Sequence, residues 1–293
     1  MRPAASITAL ATGLALFAMA ACSSPSSQAD QGGNAYGDCL VSGKRAEFKL
    51  TPEAADTLTV EASLPAPGWW NGSTPNSVKD GFEYCMAANI AYRAGLGRVK
   101  VKSVPFASLA EGKTKNFDLA LSEITITDKR KEIADFSPPY LYAEQGVGVK
   151  KGAKIDSTSI HNARIGVALG TTGARFVMDR LKPAKPVKVF QSAPDMIAGL
   201  ANGEVDAVVH DSTILLAFAR QPKADLQVVG QYRTDEPYGA LYPKGSPNKA
   251  TLDRIIKQMI DDGTLTKFSA VYLGAAYGID PTKLPYFTVG NPS

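Results

Sequence analysis

Residues that hold metals are scarce in this 293-residue chain, which has two histidines and three cysteines, none at a ligand spacing. No metal site and no cofactor are expected. His161 and His210 have no serine or aspartate partner at a spacing that makes a nucleophile and its base, so no catalytic residue is assigned. Dense Lys/Arg runs interleaved with aromatics are also missing. The formal net charge is +4, falling to +3 if Arg2 is removed, and nucleic acid is not an expected partner. In the one local basic stretch, Arg98, Lys100 and Lys102 alternate with Val99, Val101 and Ser103, as in a half-exposed strand. Beyond Cys22 no segment stays apolar for the roughly 18 residues a spanning helix needs.

The N-terminus is different. Arg2 precedes an uncharged stretch from Ala4 to Ala21 that suits a signal peptide over residues 1–21. It ends in Met19-Ala20-Ala21-Cys22, which resembles a lipobox and would make Cys22 the diacylated first residue. An ordinary small-residue cleavage beside an incidental cysteine is the alternative. Residues 22–56 are then a lipidated N-terminus and tether, most flexible over Ser23 to Gly37 with its Ser, Gly, Gln and Asn. Attachment to the outer face of the cell membrane is expected through lipid alone. Cys39 and Cys85 remain, in an oxidising compartment. A disulfide is their simplest use, two separately buried thiols the alternative.

About 270 residues follow the signal, enough for two lobes with their own cores. Periodicity predicts a strand at Thr57–Ala62, a helix at Phe82–Ala94 with Phe82, Met86 and Ile90 on one stripe, and strands at Val99–Val104 and from Phe117. This βαβαβ run implies a largely parallel sheet covered by helices. A second set alternates strands at Arg164–Ala168, Val187–Phe190 and Val205–Val209 with helices at Thr172–Leu181, Pro194–Ala201 and Asp211–Arg220. A strand at Leu226–Val229 precedes the return to the first lobe, and Gly274 to Ser293 reads as an irregular surface tail.

Residues Phe117 to Tyr140, FDLALSEITITDKRKEIADFSPPY, bring Ser122, Thr125, Thr127 and Arg130 to the end of a buried strand, where α/β sheets bind ligands. With VDAVVHDS at Val205–Ser212, this stretch resembles the polar amino-acid-binding family of ABC importers, the bacterial extracellular solute-binding proteins of family 3. The resemblance spans roughly Leu58 to Leu273. It implies an α/β fold of the type II periplasmic-binding-protein kind. Lobe one would be residues 57–143 plus 235–293 and lobe two residues 144–234, with hinge crossings near Tyr142–Gln145 and Gly230–Pro237. It also implies a monomer that captures a free polar or cationic amino acid and hands it to an ABC permease.

Site roles follow by position. Arg130 forks onto the ligand carboxylate, joined by Thr171 and Thr172 from the Gly170–Gly173 turn, and Asp211 takes the ammonium. Ser122 and Thr125 add polar contacts, while Trp69, Trp70 and Phe106 are candidate aromatic walls. His210 is expected to face away from the ligand by strand alternation. The chain departs from the family pattern at Glu83 and Cys85, which are read as structural, and at Glu123, where relatives carry Gly or Ser. Glu123 is expected to face the cleft and favour a side chain with an extra donor or positive charge; strand alternation leaves open the alternative that it points away into an ion pair with a lysine or arginine outside the pocket. A prephenate-type dehydratase on the same fold and an amino acid sensor domain are the rival readings.

Overall fold

The computed structural model describes residues 35–290. The expected signal peptide and Cys22 lie outside the described residues. The chain runs β1 (Thr57–Ala62), α1 (Phe82–Arg93), β2 (Arg98–Ser103), α2 (Phe106–Ala110), β3 (Leu119–Ala120), α3 (Asp128–Ile133) and β4 (Ala134–Phe136). Next come β5 (Leu141–Val149), β6 (Ile165–Ala168), α4 (Thr172–Phe176), β7 (Lys188–Phe190), α5 (Ala193–Ala201), β8 (Ala207–Asp211) and α6 (Ser212–Ala219). The return is made by β9 (Gln227–Tyr238), β10 (Leu241–Pro243), α7 (Lys249–Asp261), α8 (Thr264–Phe268) and α9 (Gly274–Tyr277).

These elements form two α/β lobes. The first sheet has the order β2-β1-β3-β10-β4, with β1 parallel to both neighbours and β10 antiparallel to β3 and β4. Every residue of β1 is buried, as expected for an inner strand covered on both faces. The alternating basic strand β2 lies at the edge, where Lys102 Nζ can reach Glu61 Oε1 at 2.8 Å. The second sheet has the order β7-β6-β8-β5-β9. Within it β6 runs parallel to β7 and β8, while β5 is antiparallel to β8 and β9.

Helix α1 is buried on nearly all sides rather than along one stripe. The segment before β1 accounts for this, because it wraps the helix. Cys39 is disulfide-bonded to Cys85 with a Cα–Cα distance of 5.3 Å. Asn89 Nδ2 donates to Leu40 O, and the fully buried Arg93 donates to Ser42 O and to Asp262. Phe48 and Leu50 join the first core. The span assigned to a tether therefore needs correcting: from Tyr36, whose hydroxyl donates to Leu96 O, through residue 56 it is part of the folded lobe.

A second correction concerns the C-terminal segment, assigned to lobe one as an irregular tail. It forms α9 and then runs along β9, where Gln231 N donates to Pro285 O and Phe287 N to Gln231 O. The Phe287 ring packs edge-on to Tyr232 at 5.8 Å, and Phe287 and Val289 join the core of the second lobe. Its apolar residues find a groove there, since Gly230 has no Cβ: one would sit 2.2 Å from the Phe287 ring.

Strands β5 and β9 pair from Leu141↔Tyr238 to Val149↔Gln227, so the two crossings between lobes are hydrogen-bonded to each other. Their register slips between Ala143 and Gln145. There the Glu144 carboxylate accepts the backbone N–H groups of Thr234 and Asp235. Such a bulge interrupts the ladder locally, within the crossings between the lobes.

Candidate ligand-binding cleft

A cavity of about 660 Å³, its mouth included, opens between the lobes. Its walls include Ser122, Glu123, Thr125, Arg130, Thr171, Thr172 and Asp211, all expected from the sequence. The loop 122–127 is held against the end of β9, where Ile126 N donates to Pro237 O and Gly239 N to Ile124 O. Thr127 then caps α3 by accepting from Arg130 N at 3.2 Å, so the charged turn at 128–130 is the first turn of a short helix.

That turn aims the Arg130 side chain inward, leaving the residue only 5% exposed. Nη1 donates to Thr125 O at 2.7 Å and Nη2 to Gly170 O, on the other lobe, at 3.1 Å. The guanidinium lies 5.4 Å from the centre of the Phe106 ring. Burial pulls its pKa down to about 10, opposed by Asp211 and Glu236, so it remains a cation at neutral pH. Two of its five N–H groups are committed to carbonyls, and three are left for a ligand.

The lobes approach closely at Gly170, where φ is +79° and a Cβ would meet Ala107 Cα at 2.9 Å. Thr171 N-caps α4: its Oγ1 accepts from Ala174 N and donates to Ala168 O. Its hydroxyl is thereby occupied. Thr172 Oγ1 instead accepts from Gln145 Nε2 at 3.3 Å and lies 3.5 Å from Thr125 Oγ1 across the cleft.

Asp211 stands at the end of β8, with Gln145 Nε2 donating to Oδ1 at 2.5 Å and Tyr238 OH to Oδ2 at 2.6 Å. Burial works against its charge. The His210 ring, Tyr238 and Gln145 outweigh that and hold the carboxyl below its usual range. His210 Nδ1 accepts the Asp211 amide N–H at 2.8 Å and so bears no proton in that arrangement. Tyr238 and Gln145 donate to the carboxylate in the same arrangement. The expectation that His210 faces away is wrong: it lines the cavity beside Asp211. Strand alternation ends there because the chain turns into α6 at Asp211, so neighbouring side chains flank the same space.

Trp69 and Phe106 line the cavity, but Trp70 does not. Trp70 is fully buried in the first core, with Nε1 donating to Glu83 Oε2 at 2.8 Å. Glu83 accepts two more donors at Oε1, the Tyr140 hydroxyl and the Glu123 amide. Burial raises its pKa to about 7 despite them. Glu123 has a left-handed φ of 48°, a strained setting for a residue with a Cβ. Burial, then repulsion from Glu83 and Asp211, pushes its carboxyl well above the usual range.

Gln145, Tyr238 and Glu236 were not singled out from the sequence. All three lie on the hinge strands, and the register that sets Gln145 opposite Asp211 is a tertiary pairing. Glu236 is buried on β9 with Oε2 unpaired among the described residues, and burial followed by Asp211 raises its pKa.

Residues 71–275 match the bacterial extracellular solute-binding proteins, family 3. A probable histidine-binding protein of Neisseria gonorrhoeae is 31% identical over 200 residues, 65% of this chain and 74% of that one. A solved structure of an ancestral arginine-binding protein bound to arginine is similar at a TM-score of 0.66 and 30% identity, covering 74% of this chain and 98% of that one. Another, bound to glutamine, gives 0.66 and 31% over 75% and 99%. The chain belongs to this family.

Proposed function

We propose that this family 3 solute-binding protein captures a free polar or cationic amino acid in the cleft and delivers it to an ABC permease. In this reading the ligand carboxylate is held by Arg130, with Thr172 and Thr125 as further polar contacts, and the ammonium by Asp211. Ser122 completes the polar floor, and Trp69 and Phe106 exclude water. The observation that carries it is the charge pair itself: one buried cation and one buried anion face the same cavity from different lobes. A zwitterion matches both, and matching both requires the hinge to close.

The protein works outside the cytoplasm, as its family does, and Cys22 is the proposed lipid attachment point. Mass spectrometry of the mature N-terminal peptide tests that point, since an unacylated terminus contradicts it. Relatives described as binding proteins favour transport over the dehydratase reading. Calorimetry with the standard amino acids, citrulline and ornithine tests the function. One of them should bind at one ligand per chain. Failure of the whole panel, or equal binding of analogues lacking the α-carboxylate, refutes the proposal.

A further inference from the structure

Glu123 is 6% exposed, lines the cleft between Ser122 and Thr125, and keeps Oε1 without a hydrogen-bond partner among the described residues. The titratable groups around it are two acids, Glu83 from α1 and Asp211 from the end of β8, and the hydroxyls of Tyr140, Tyr238 and Tyr277. His210 lines the same cavity, and its Nδ1 is taken up by the Asp211 amide. Arg130 is turned toward the carbonyls of Thr125 and Gly170.

Glu83 and Glu123 are neighbours: the Glu123 amide donates to Glu83 Oε1 at 2.9 Å, and burial, then repulsion from Glu83, raises the Glu123 pKa. Glu83 already accepts from Trp70, Tyr140 and the Glu123 amide, an arrangement suited to a carboxylate. The proton of the pair therefore belongs on Glu123, whose carboxyl has no comparable set of donors. Asp211 is matched by one ligand ammonium. An ionised Glu123 needs a second positive charge, because an unpaired buried carboxylate is strongly disfavoured.

Resting on the amino-acid reading above, we propose that Glu123 selects the ligand by charge. Its carboxyl keeps a proton until a ligand with a second cationic group, such as arginine, displaces that proton to the solvent. A neutral ligand such as glutamine binds with Glu123 still protonated.

Calorimetry of the wild-type protein at about pH 7.5, in phosphate and in Tris, counts the protons exchanged per ligand. Arginine should release about one proton and bind up to about tenfold tighter per unit rise in pH, whereas glutamine should release none. In Glu123→Gln the release with arginine should vanish. Binding of arginine without release, or equal release with both ligands, overturns this inference while leaving amino-acid capture intact. Equal release would place Glu123 beside the α-ammonium instead. Failure of both ligands to bind removes the inference together with the reading it rests on. The wild-type proton count decides the matter even where the variant folds poorly.

Discussion

Replacing Arg130 with alanine should separate binding from folding. The side chain makes one charge-assisted contact within its lobe, to Thr125 O, and one across the cleft, to Gly170 O. In the proposed complex it adds the ligand carboxylate, and truncating one partner of such a buried charge pair costs about 2–5 kcal/mol. The Gly170 contact is available only when the lobes meet, so its loss also weakens closure. These effects share one side chain and do not add simply. A loss of about 3 kcal/mol, or roughly two orders of magnitude in affinity, is the expectation. Fold stability should change much less. Burial already lowers the Arg130 pKa to about 10, so the protein works to keep this charge inside, and removing it offsets the lost carbonyl contacts. Arg130→Lys should recover only part of the affinity, since an ammonium cannot fork. Calorimetry with the best ligand, alongside thermal unfolding, measures both quantities. An alanine variant that unfolds cooperatively and binds within about threefold of wild type would show that Arg130 does not hold the ligand.

Glu83 predicts a pH dependence for the stability of the protein without ligand. Its pKa is raised by burial to about 7, so its contribution is fully present below the unfolded carboxyl value near 4.5 and is lost as pH rises through about 7. Urea unfolding should accordingly show lower stability at about pH 8 than at about pH 5.5, and the opposite slope contradicts the assignment. Removing the Cys39–Cys85 link by a double serine substitution should lower the unfolding free energy by about 2–4 kcal/mol. Unchanged stability would mean that the 46-residue separation it spans is already constrained in the unfolded chain. Phe287→Ala should cost about 1–2 kcal/mol by exposing the groove over Gly230 and Tyr232. A variant as stable as wild type would argue against that packing in solution.

Local pattern carried much of the architecture. β1 is found over the predicted residues Thr57–Ala62, and α1 ends one residue before the predicted Ala94. The apolar run in VDAVVHDS likewise leads to an Asp211 at a strand end, in the cleft. What local pattern could not carry was partnership between distant segments. Trp70 and Trp69 are adjacent and chemically alike, yet the buried acceptor on Glu83 draws Trp70 into the core. Gln145 and Tyr238 meet Asp211 only because β5 pairs with both β8 and β9. The tail's apolar residues follow no helical or strand period and pack along β9, so local pattern does not reveal their partner.

The hinge strands do more than connect the lobes, because they also supply the groups that charge the site. Gln145 on β5 and Tyr238 on β9 donate to Asp211, and Glu236 on β9 favours the Arg130 cation. Bending these strands therefore shifts the donors of the anion and the field on the cation together. Closing the lobes desolvates both charges at once, and desolvation of an unmatched charge is the larger energy. A ligand with only an amine or only a carboxylate leaves one charge stranded, whereas a zwitterion satisfies both. In the proposed reading, selection for the α-amino acid core then resides in closure itself. In that reading, choice among side chains falls to the remaining wall, where Glu123 stands.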